Sequence, residues 1–376
     1  MKFTKLFKTL ILLVSSLLYL ISCSSNKESQ TPTVLYASIE EIILDTIYIA
    51  KDLETSRLPS AFTYDASSKS LMALVQNTLF TIPYPELTPV SKQLLEKEGP
   101  DGIGSFSYGG VITDDYIFIL NSPKELIQLD KKGKVLKRIP FPLDSKIPNA
   151  LFNILKGQEI SWDKENQQLI IPLVPFVLKE ESFDNNPWIW EADFTSDEIR
   201  PLASFTFPDL YKEFLDDIEL GTFYNTYHSK LQAQVISLPA SDSLLLIHSD
   251  RQEWKYAGST EKLQFLKGKT EQYGEMIAFL PNHESSRYGT ITWDPYRNHF
   301  IRNLIISEKK IDEKVIRDHR LLFFDADFQK LAEISFNAAI ISRTPFFTPN
   351  GVYLKLLDAE SDDYEGYVRI AIPQKY

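Results

Sequence analysis

The chain has 376 residues, of which 43% are hydrophobic and 24% charged, and it contains 24 Phe, 18 Tyr and 5 Trp. This composition is that of a globular protein and argues against intrinsic disorder. A single cysteine excludes a disulfide scaffold and a thiolate zinc cluster. The excess of 51 acidic over 40 basic residues argues against a nucleic-acid-binding protein.

The beginning of the chain has the pattern of an export signal. Lys2, Lys5 and Lys8 form a positive region, and an apolar run of 12 residues follows over 10–21. That run is shorter than the roughly 20 residues that span a bilayer, and it has the length of a signal-peptide core. We therefore expect residues 1–22 to be removed, which leaves 37 basic and 51 acidic residues and a net charge of −14.

The end of this signal carries a lipid-attachment motif. The sequence Leu20-Ile21-Ser22-Cys23 resembles the signal box of bacterial lipoproteins, in which the cysteine is acylated and becomes the new N-terminus. Two or more acyl chains give a stable membrane anchor, at about 0.8 kcal/mol per buried CH₂. The resemblance implies that Cys23 is lipidated and that the polar residues up to 34 form a flexible tether. The alternative is an ordinary secretory signal with a chance cysteine.

The rest of the chain, residues 35–376, repeats one pattern: an apolar run, a short polar turn and a second apolar run. The central turn residues are Asp65, Asp114, Asp163, Asp242, Asp294 and Asn350. Their spacings are 49, 49, 79, 52 and 56 residues. Asp and Asn at such positions favour tight turns between antiparallel strands. Four strands in a unit of about 50 residues are typical of a β-propeller blade.

Six such units predict an all-β fold, a single-domain six-bladed β-propeller. The last unit is one strand short, and we expect the apolar segment 35–49 to supply its outer strand and close the ring. The long third spacing indicates an insertion, because residues 208–220 have apolar positions at helical spacing and predict a short helix between the third and fourth blades. A pair of β-sandwiches is the alternative fold.

The sequence resembles a known group, the uncharacterised six-bladed propeller lipoproteins of the Bacteroidota, which carry a domain of unknown function. The lipid-attachment motif, the tether and the repeats agree over the whole chain. In addition, Glu98-Gly99-Pro100-Asp101-Gly102-Ile103-Gly104 is similar to a loop that those proteins carry before their second blade. The resemblance implies the fold, but it supplies no catalytic residues.

Long loops are expected to lie together on one face of the propeller. The predicted loops are 95–108, 143–158, 179–187, 205–232, 271–287, 308–319 and 358–366. Since function is commonly carried by loops on a rigid scaffold, we place the candidate ligand contacts there. These contacts are Glu98, Asp101, Gly102, Gly104, Asp184 and Asp362. The alternative is that the loops are merely tolerated insertions.

Two of these loops allow a sharper interpretation. Five glycines lie within residues 99–110, but no Gly-Lys-Ser/Thr follows them, which favours a tight loop at the central funnel over a phosphate cradle. The acidic stretch 358–363 resembles a calcium loop. However, the sixth position is Asp363 instead of Gly and the twelfth is Arg369 instead of Glu, so a solvated hairpin tip is favoured over weak calcium binding.

The sequence contains no linear catalytic motif. Its five histidines lack metal-ligand spacing, no GxSxG elbow occurs, and the only cysteine is assigned to lipid. We expect no metal or other cofactor, and we favour a non-enzymatic binding or scaffold protein with an unknown protein or glycan ligand. The alternatives are a glycan hydrolase or lyase, whose acids and histidines would meet in the funnel, and a ligand sensor for a membrane partner.

The expected location is the cell envelope, with Cys23 in the outer membrane and the protein facing the periplasm. No dense acidic tag follows the cysteine over residues 24–29; exposure at the cell surface is the alternative. Anionic head groups repel an acidic body, so the propeller should hang from its anchor and not lie on the bilayer.

Overall fold

The computed structural model describes residues 34–372, apart from residues 54, 56, 106, 122–124, 142–149, 152–158, 176, 184–185, 274–275, 312–313 and 359–360. The expected signal, Cys23 and the tether up to residue 33 lie outside the described residues, as does the candidate contact Asp184. Within the described ranges, no helix is long and apolar enough to cross a membrane.

Six sheets of four or five strands form the blades of a β-propeller, so the predicted all-β, six-bladed fold is confirmed. The strands of blade 1 are Thr63–Asp65, Ser70–Val75, Thr78–Pro83 and Ser91–Leu94. Those of blade 2 are Ser107–Ile112, Ile117–Asn121, Glu125–Leu129 and Val135–Pro140. Those of blade 3 are Ser161–Asp163, Gln168–Pro172, Asn186–Asp193 and Glu198–Phe205. Those of blade 4 are Tyr224–His228, Ala233–Ser237, Ser243–Ile247 and Gln252–Tyr256. Those of blade 5 are Arg287–Asp294, His299–Ile311, Lys314–Asp325 and Lys330–Asn337. Those of blade 6 are Phe346–Thr348, Gly351–Lys355 and Tyr364–Ile370.

Smaller elements lie outside these strands. Two short strand pairs occur, Ala150–Leu151 with Val174–Pro175 and Lys269–Tyr273 with Met276–Leu280. In the described part of the chain, the helical elements are one α-helical turn, Ile39–Ile42, and two 3-10 helices, Glu180–Ser182 and Asp209–Phe214.

The N-terminal segment adds a strand to each of the last two blades. Ile43–Ala50 pairs antiparallel with Tyr364–Ile370 and is the outer strand of blade 6. Leu35–Ser38 pairs in parallel with Lys330–Asn337 and is a fifth strand of blade 5, which the sequence did not predict. The two strands are separated because Ser38 begins the helical turn, where its N–H donates to the Glu41 carboxylate at 2.9 Å.

The first turn of the blades explains the sequence repeat. In blades 1, 3 and 5 the first strand ends at Asp65, Asp163 and Asp294, whose carboxylates accept backbone N–H groups two or three residues later. The residue four positions after each aspartate has a left-handed φ of 51–55°; these residues are Lys69, Gln167 and Asn298. These side-chain-capped turns fix the register between the first and second strands.

The prediction for the fourth unit is wrong by one strand. Asp242 lies between the second and third strands of blade 4, whose first turn is at residues 229–232. There His228 replaces the turn aspartate: its Nδ1 accepts the Leu231 N–H at 3.0 Å, and Gln232 has a φ of 46°. The repeat pattern is defined by Asp or Asn at the turn, so it does not include a turn capped by histidine. This explains the outlying spacing of 79 residues.

Two other predicted segments also differ from the structure. Residues 208–220 contain a 3-10 helix over Asp209–Phe214 in place of the expected helix, and its Tyr211 is fully buried. Residues 308–319, predicted as a loop, extend the second and third strands of blade 5 as a long hairpin. The sequence of this hairpin is so polar that it lacks the alternation of apolar residues by which strands are recognised.

One fully buried arginine joins blades 4 and 5. The guanidinium of Arg302 donates to Ser237 Oγ at 2.9 Å and lies 3.7 Å from the ring centre of Tyr288. It also donates, over 2.8–3.3 Å, to three backbone carbonyl oxygens, those of Leu238, Ser241 and Ala257. Burial lowers the pKa of Arg302 to about 10, so the group stays charged at neutral pH. Arg302 therefore ties the second strand of blade 5 to the backbone of blade 4.

Candidate functional site

One face of the propeller carries the connections between blades. First strands of neighbouring blades contact each other, as Tyr224–His228 and Arg287–Asp294 do, which places them nearest the axis. Because consecutive strands of a blade are antiparallel, the inter-blade segments share a face with the connections between second and third strands. We call this the linker face. It is the face on which the sequence analysis placed the candidate ligand contacts.

The predicted glycine-rich contacts lie beside an outer strand and not at the central funnel. The Asp101 carboxylate accepts the Val135 N–H at 3.0 Å, and Arg138 donates to the Gly102 carbonyl oxygen. Both partners belong to the outer strand of blade 2. A Cβ at Gly102 would lie 2.5 Å from the carbonyl carbon of Glu98, so this close approach of backbone requires glycine. The loop is tight, as expected, but it packs against the rim of the blade.

Glu98 and Gly104 belong to the same loop as Asp101 and Gly102, whereas Asp362 lies apart from it. Glu98 is exposed, and Gly104 has a φ of 85° with its N–H donating to the Lys97 carbonyl oxygen at 3.1 Å. Asp362 belongs instead to the connection between the second and third strands of blade 6. The candidates that the structure describes are therefore one structural loop and one separate carboxylate.

Asp362 lines a cavity of about 830 Å³ on the linker face, which we call the blade-6 cavity. The segment that leads into blade 1 and the connection between the second and third strands of blade 6 form its walls. Its lining residues are Lys51, Arg57, Leu58, Ser60, Lys355, Leu356, Leu357, Ser361, Asp362 and Glu365. A volume of this size is typical of a small-molecule site.

A buried ion pair forms one wall of the blade-6 cavity. Lys355 and Glu365 are 7% and 8% exposed, and their charged groups contact each other. Lys355 Nζ also donates to the Leu58 carbonyl oxygen at 2.6 Å, which ties blade 6 to the segment leading into blade 1. Because the two opposite charges compensate each other, the pair forms a polar wall without a net charge.

A second group of charged side chains lies on the linker face around blade 5, and we call it the arginine cluster. Its members are Glu219, Arg287, Asn303, Glu308, Arg317, His319 and Arg343. Arg287 Nη2 lies 3.0 Å from Glu219 Oε1 and 4.0 Å from Glu308 Oε1. Arg317 Nε lies 3.7 Å from Glu308 Oε2. The sequence analysis missed this cluster, because its members come from separate segments and form no linear motif.

The histidine of the arginine cluster has an unusual environment. His319 is 2% exposed, and neither of its ring nitrogens has a hydrogen-bond partner among the described residues. Burial lowers the pKa of His319, and the neighbouring Arg343, Arg287 and Arg317 lower it further, to about 3. His319 is therefore neutral at physiological pH. In contrast, burial raises the pKa of Glu219 while Arg287 opposes this rise.

A further acidic group precedes the first strand of blade 3. The backbone of Glu159 exchanges two hydrogen bonds with the Asn225 side chain in blade 4, at 2.9 and 3.3 Å. Burial raises the pKa of the Glu159 carboxyl to about 7, although the hydroxyl groups of Thr226 and Ser161 partly offset this. A carboxyl with such a pKa can act as an acid or a base at neutral pH. Among the residues that the structure describes, no group of three His, Cys, Asp or Glu side chains could hold a metal ion.

Comparison with solved structures supports the propeller fold. A crystal structure of a DUF4221 family member from Bacteroides vulgatus ATCC 8482 superimposes with a TM-score of 0.69 at 15% identity, over 88% of this chain and 97% of that chain. U3-55K superimposes with a TM-score of 0.43 at 8% identity, over 86% and 98% of the two chains, which is too distant for any further argument. At 15% identity, the first likeness shows the fold alone.

Comparison of sequences gives the family. No curated protein matches the chain. The family model described as "Domain of unknown function (DUF4221)" matches residues 66–335, which is well over half of the sequence. This match agrees with the resemblance to propellers that carry a domain of unknown function. The chain therefore belongs to the DUF4221 family.

Proposed function

We propose that the protein is a lipid-anchored binding protein of the cell envelope that holds a polar ligand in the blade-6 cavity without converting it. The observation that supports binding is this cavity of about 830 Å³ on the loop-rich face. Its two central charged groups, Lys355 and Glu365, are buried against each other and so provide a preformed wall. Preformed concave sites of this size with a few placed polar groups are characteristic of small-molecule binding.

The lining of the blade-6 cavity suits an oligosaccharide. Sugar hydroxyls can form hydrogen bonds with the groups that line it, namely the hydroxyls of Ser60 and Ser361 and the Asp362 carboxylate. Leu356 and Leu357 offer apolar surface to the hydrophobic faces of sugar rings. Charged, hydroxyl and apolar groups in one cavity match a ligand that is polar at its edges and apolar on its faces.

Filling the cavity should abolish ligand binding. We expect wild-type protein to bind a subset of an array of envelope and dietary oligosaccharides, and Ser60→Trp to lower that affinity at least tenfold, because the indole would occupy the space of the ligand. Ser229→Trp is the matched control, since Ser229 is an exposed turn residue on the opposite face. Equal binding by the two variants, or no binding by the wild type, would contradict an oligosaccharide site in this cavity.

The lipid anchor is tested by labelling cells with a clickable palmitate analogue. We expect label on the wild-type protein and on Ser24→Ala, and none on Cys23→Ala, because Cys23 is the only thiol in the chain and follows the signal directly. Label that persists on Cys23→Ala would show that the acyl chains, and with them the anchor, are elsewhere.

A glycan hydrolase or lyase is the second candidate, and one observation favours it. Glu159 has a carboxyl pKa of about 7 and lies between the first strands of blades 3 and 4. If this candidate is correct, oligosaccharides from the same array should gain new reducing ends with the wild type and with Glu165→Gln, but not with Glu159→Gln. Unchanged oligosaccharides would leave binding as the function.

A further inference from the structure

We propose that the arginine cluster is a second ligand site, separate from the blade-6 cavity, and that it binds a hydroxylated carboxylate such as a sugar acid. The two sites are built from different segments: residues 51–60 and 355–365 line the cavity, whereas the cluster is centred on blade 5. The cluster can therefore bind its ligand whether or not the blade-6 cavity is filled.

The strand register places the cluster on one face of blade 5. Arg287, Ile305 and His319 are aligned across the first three strands, so their side chains point to the same side of the sheet. Asn303 lies two residues before Ile305 and therefore shares this side. Its Nδ2 donates to the Arg343 carbonyl oxygen at 2.9 Å, which holds the segment between blades 5 and 6 over the same end of the sheet.

Two members of the cluster have hydrogen-bonding atoms that the described part of the protein leaves unused. His319 is 2% exposed, and both of its ring nitrogens lack a hydrogen-bond partner. Asn303 is 3% exposed, and its Oδ1 also lacks a hydrogen-bond partner. Leaving a buried polar atom unpaired is costly, and buried polar groups are nearly always paired. Three such atoms at one place therefore indicate a ligand-binding position rather than a structural core.

The charges of the cluster indicate that its ligand carries an anionic group. Three arginines face two glutamates, and the nearby Asp217 carboxylate is taken up by three backbone N–H groups. No carboxylate lies within 4.0 Å of Arg343 in the residues that the structure describes, so Arg343 is the cationic group of the cluster that is open to an anion. A cationic position on a protein of net charge −11 attracts anions locally. The planar fork of a guanidinium matches a carboxylate in a bidentate arrangement, so Arg343 and Arg287 are assigned to the carboxylate.

The unused atoms select the rest of the ligand. A neutral histidine offers one N–H donor and one nitrogen acceptor, and Asn303 Oδ1 is a second acceptor. These two acceptors need donors on the ligand, which hydroxyl groups beside the carboxylate would supply. Acetate and sulfate carry no such donor, whereas glucose carries hydroxyl groups without the charge. The ligand that satisfies the whole cluster has both.

Calorimetric titration of the purified protein in detergent tests this assignment, with D-glucuronate, glucose, acetate, sulfate and inorganic phosphate as probes. We expect glucuronate to bind at least tenfold more tightly than each of the others, and Arg343→Gln to lower its affinity at least tenfold. Arg57→Gln, in the blade-6 cavity, is the matched control and should change the affinity less than twofold. If Arg57→Gln weakens glucuronate binding and Arg343→Gln does not, the ligand occupies the cavity and this proposal is overturned.

His319→Phe separates a ligand-binding role from a structural one. Phenylalanine keeps the buried ring and removes the two unpaired nitrogens, so we expect an unfolding temperature equal to or above that of the wild type together with loss of glucuronate binding. A destabilised variant that still binds would overturn the proposal. Absence of glucuronate binding by the wild type, or binding of sulfate, phosphate or acetate with equal affinity, would also overturn it.

Discussion

Replacing Arg302 with leucine is expected to lower the free energy of unfolding by about 3–5 kcal/mol, because several buried acceptors would each lose a donor at a cost of about 1–3 kcal/mol. The leucine would take the guanidinium donor away from Ser237 Oγ and from the carbonyl oxygens of Ser241 and Ala257, whereas the Leu238 carbonyl oxygen would keep the Ser241 N–H at 3.2 Å. Buried acceptors that lose their partner retain the full cost of desolvation. The loss should therefore exceed what the contact area of the side chain alone would suggest.

Urea unfolding followed by tryptophan fluorescence measures this effect. Arg302→Lys should recover little stability, because an ammonium group cannot reproduce the several directions of the guanidinium fork. Arg251→Leu is the control: its side chain is 58% exposed and its guanidinium pairs with the exposed Asp250 in the outer turn of blade 4, so a change within about 0.5 kcal/mol is expected. A loss below about 1 kcal/mol for Arg302→Leu would disprove its role as a tie between blades.

An aspartate at position 49 should prevent the propeller from closing. Ile49 is fully buried in the core between blades 6 and 1, where it packs with Phe62 and Tyr367. A carboxylate in that core costs several kcal/mol or more, and Glu365, the residue opposite position 49 in the strand pair, carries a like charge. We expect Ile49→Asp to be recovered as aggregated or protease-sensitive protein.

Tyr48→Asp is the matched control for this prediction. Tyr48 is the preceding residue of the same strand, points to the opposite side and is 58% exposed, so its replacement should change the free energy of unfolding by no more than about 1 kcal/mol. Limited proteolysis and near-ultraviolet circular dichroism of the two variants provide the comparison. Equal resistance to protease would show that the outer strand of blade 6 contributes little to closing the ring.

The N-terminal strand has a further consequence for folding. Ile43–Ala50 pairs with Tyr364–Ile370, so the last blade is assembled from both ends of the described chain. Contacts between such distant residues carry a large loop-closure cost and form slowly. The exposed edge of blade 6 is covered only when this pairing forms, which is why a defect in one strand should affect the whole ring.

The success of the repeat analysis depended on the residue that caps each first turn. At Asp65, Asp163 and Asp294 the carboxylate accepts the turn N–H groups, and the sequence pattern located these blades correctly. At His228 an imidazole nitrogen accepts the turn N–H, and the sequence pattern therefore assigned the first turn of this blade to Asp242. The physical function of the turn was preserved while the residue type changed.

Local patterns in the sequence predict the fold class, the number of blades and a lipid anchor. The first two depend on turn chemistry and apolar alternation, which are local properties that recur along the chain. The expectation of an anchor depends on a short contiguous motif that ends at Cys23.

The positions of the two proposed ligand sites depend on the tertiary structure. The blade-6 cavity joins residues 51–60 to residues 355–365, and the arginine cluster joins residues between 219 and 343. Asp101, which lay beside conspicuous glycines in the sequence, is instead occupied by a backbone N–H of an outer strand. The reason is that closure of the ring, and not proximity in sequence, brings these side chains together.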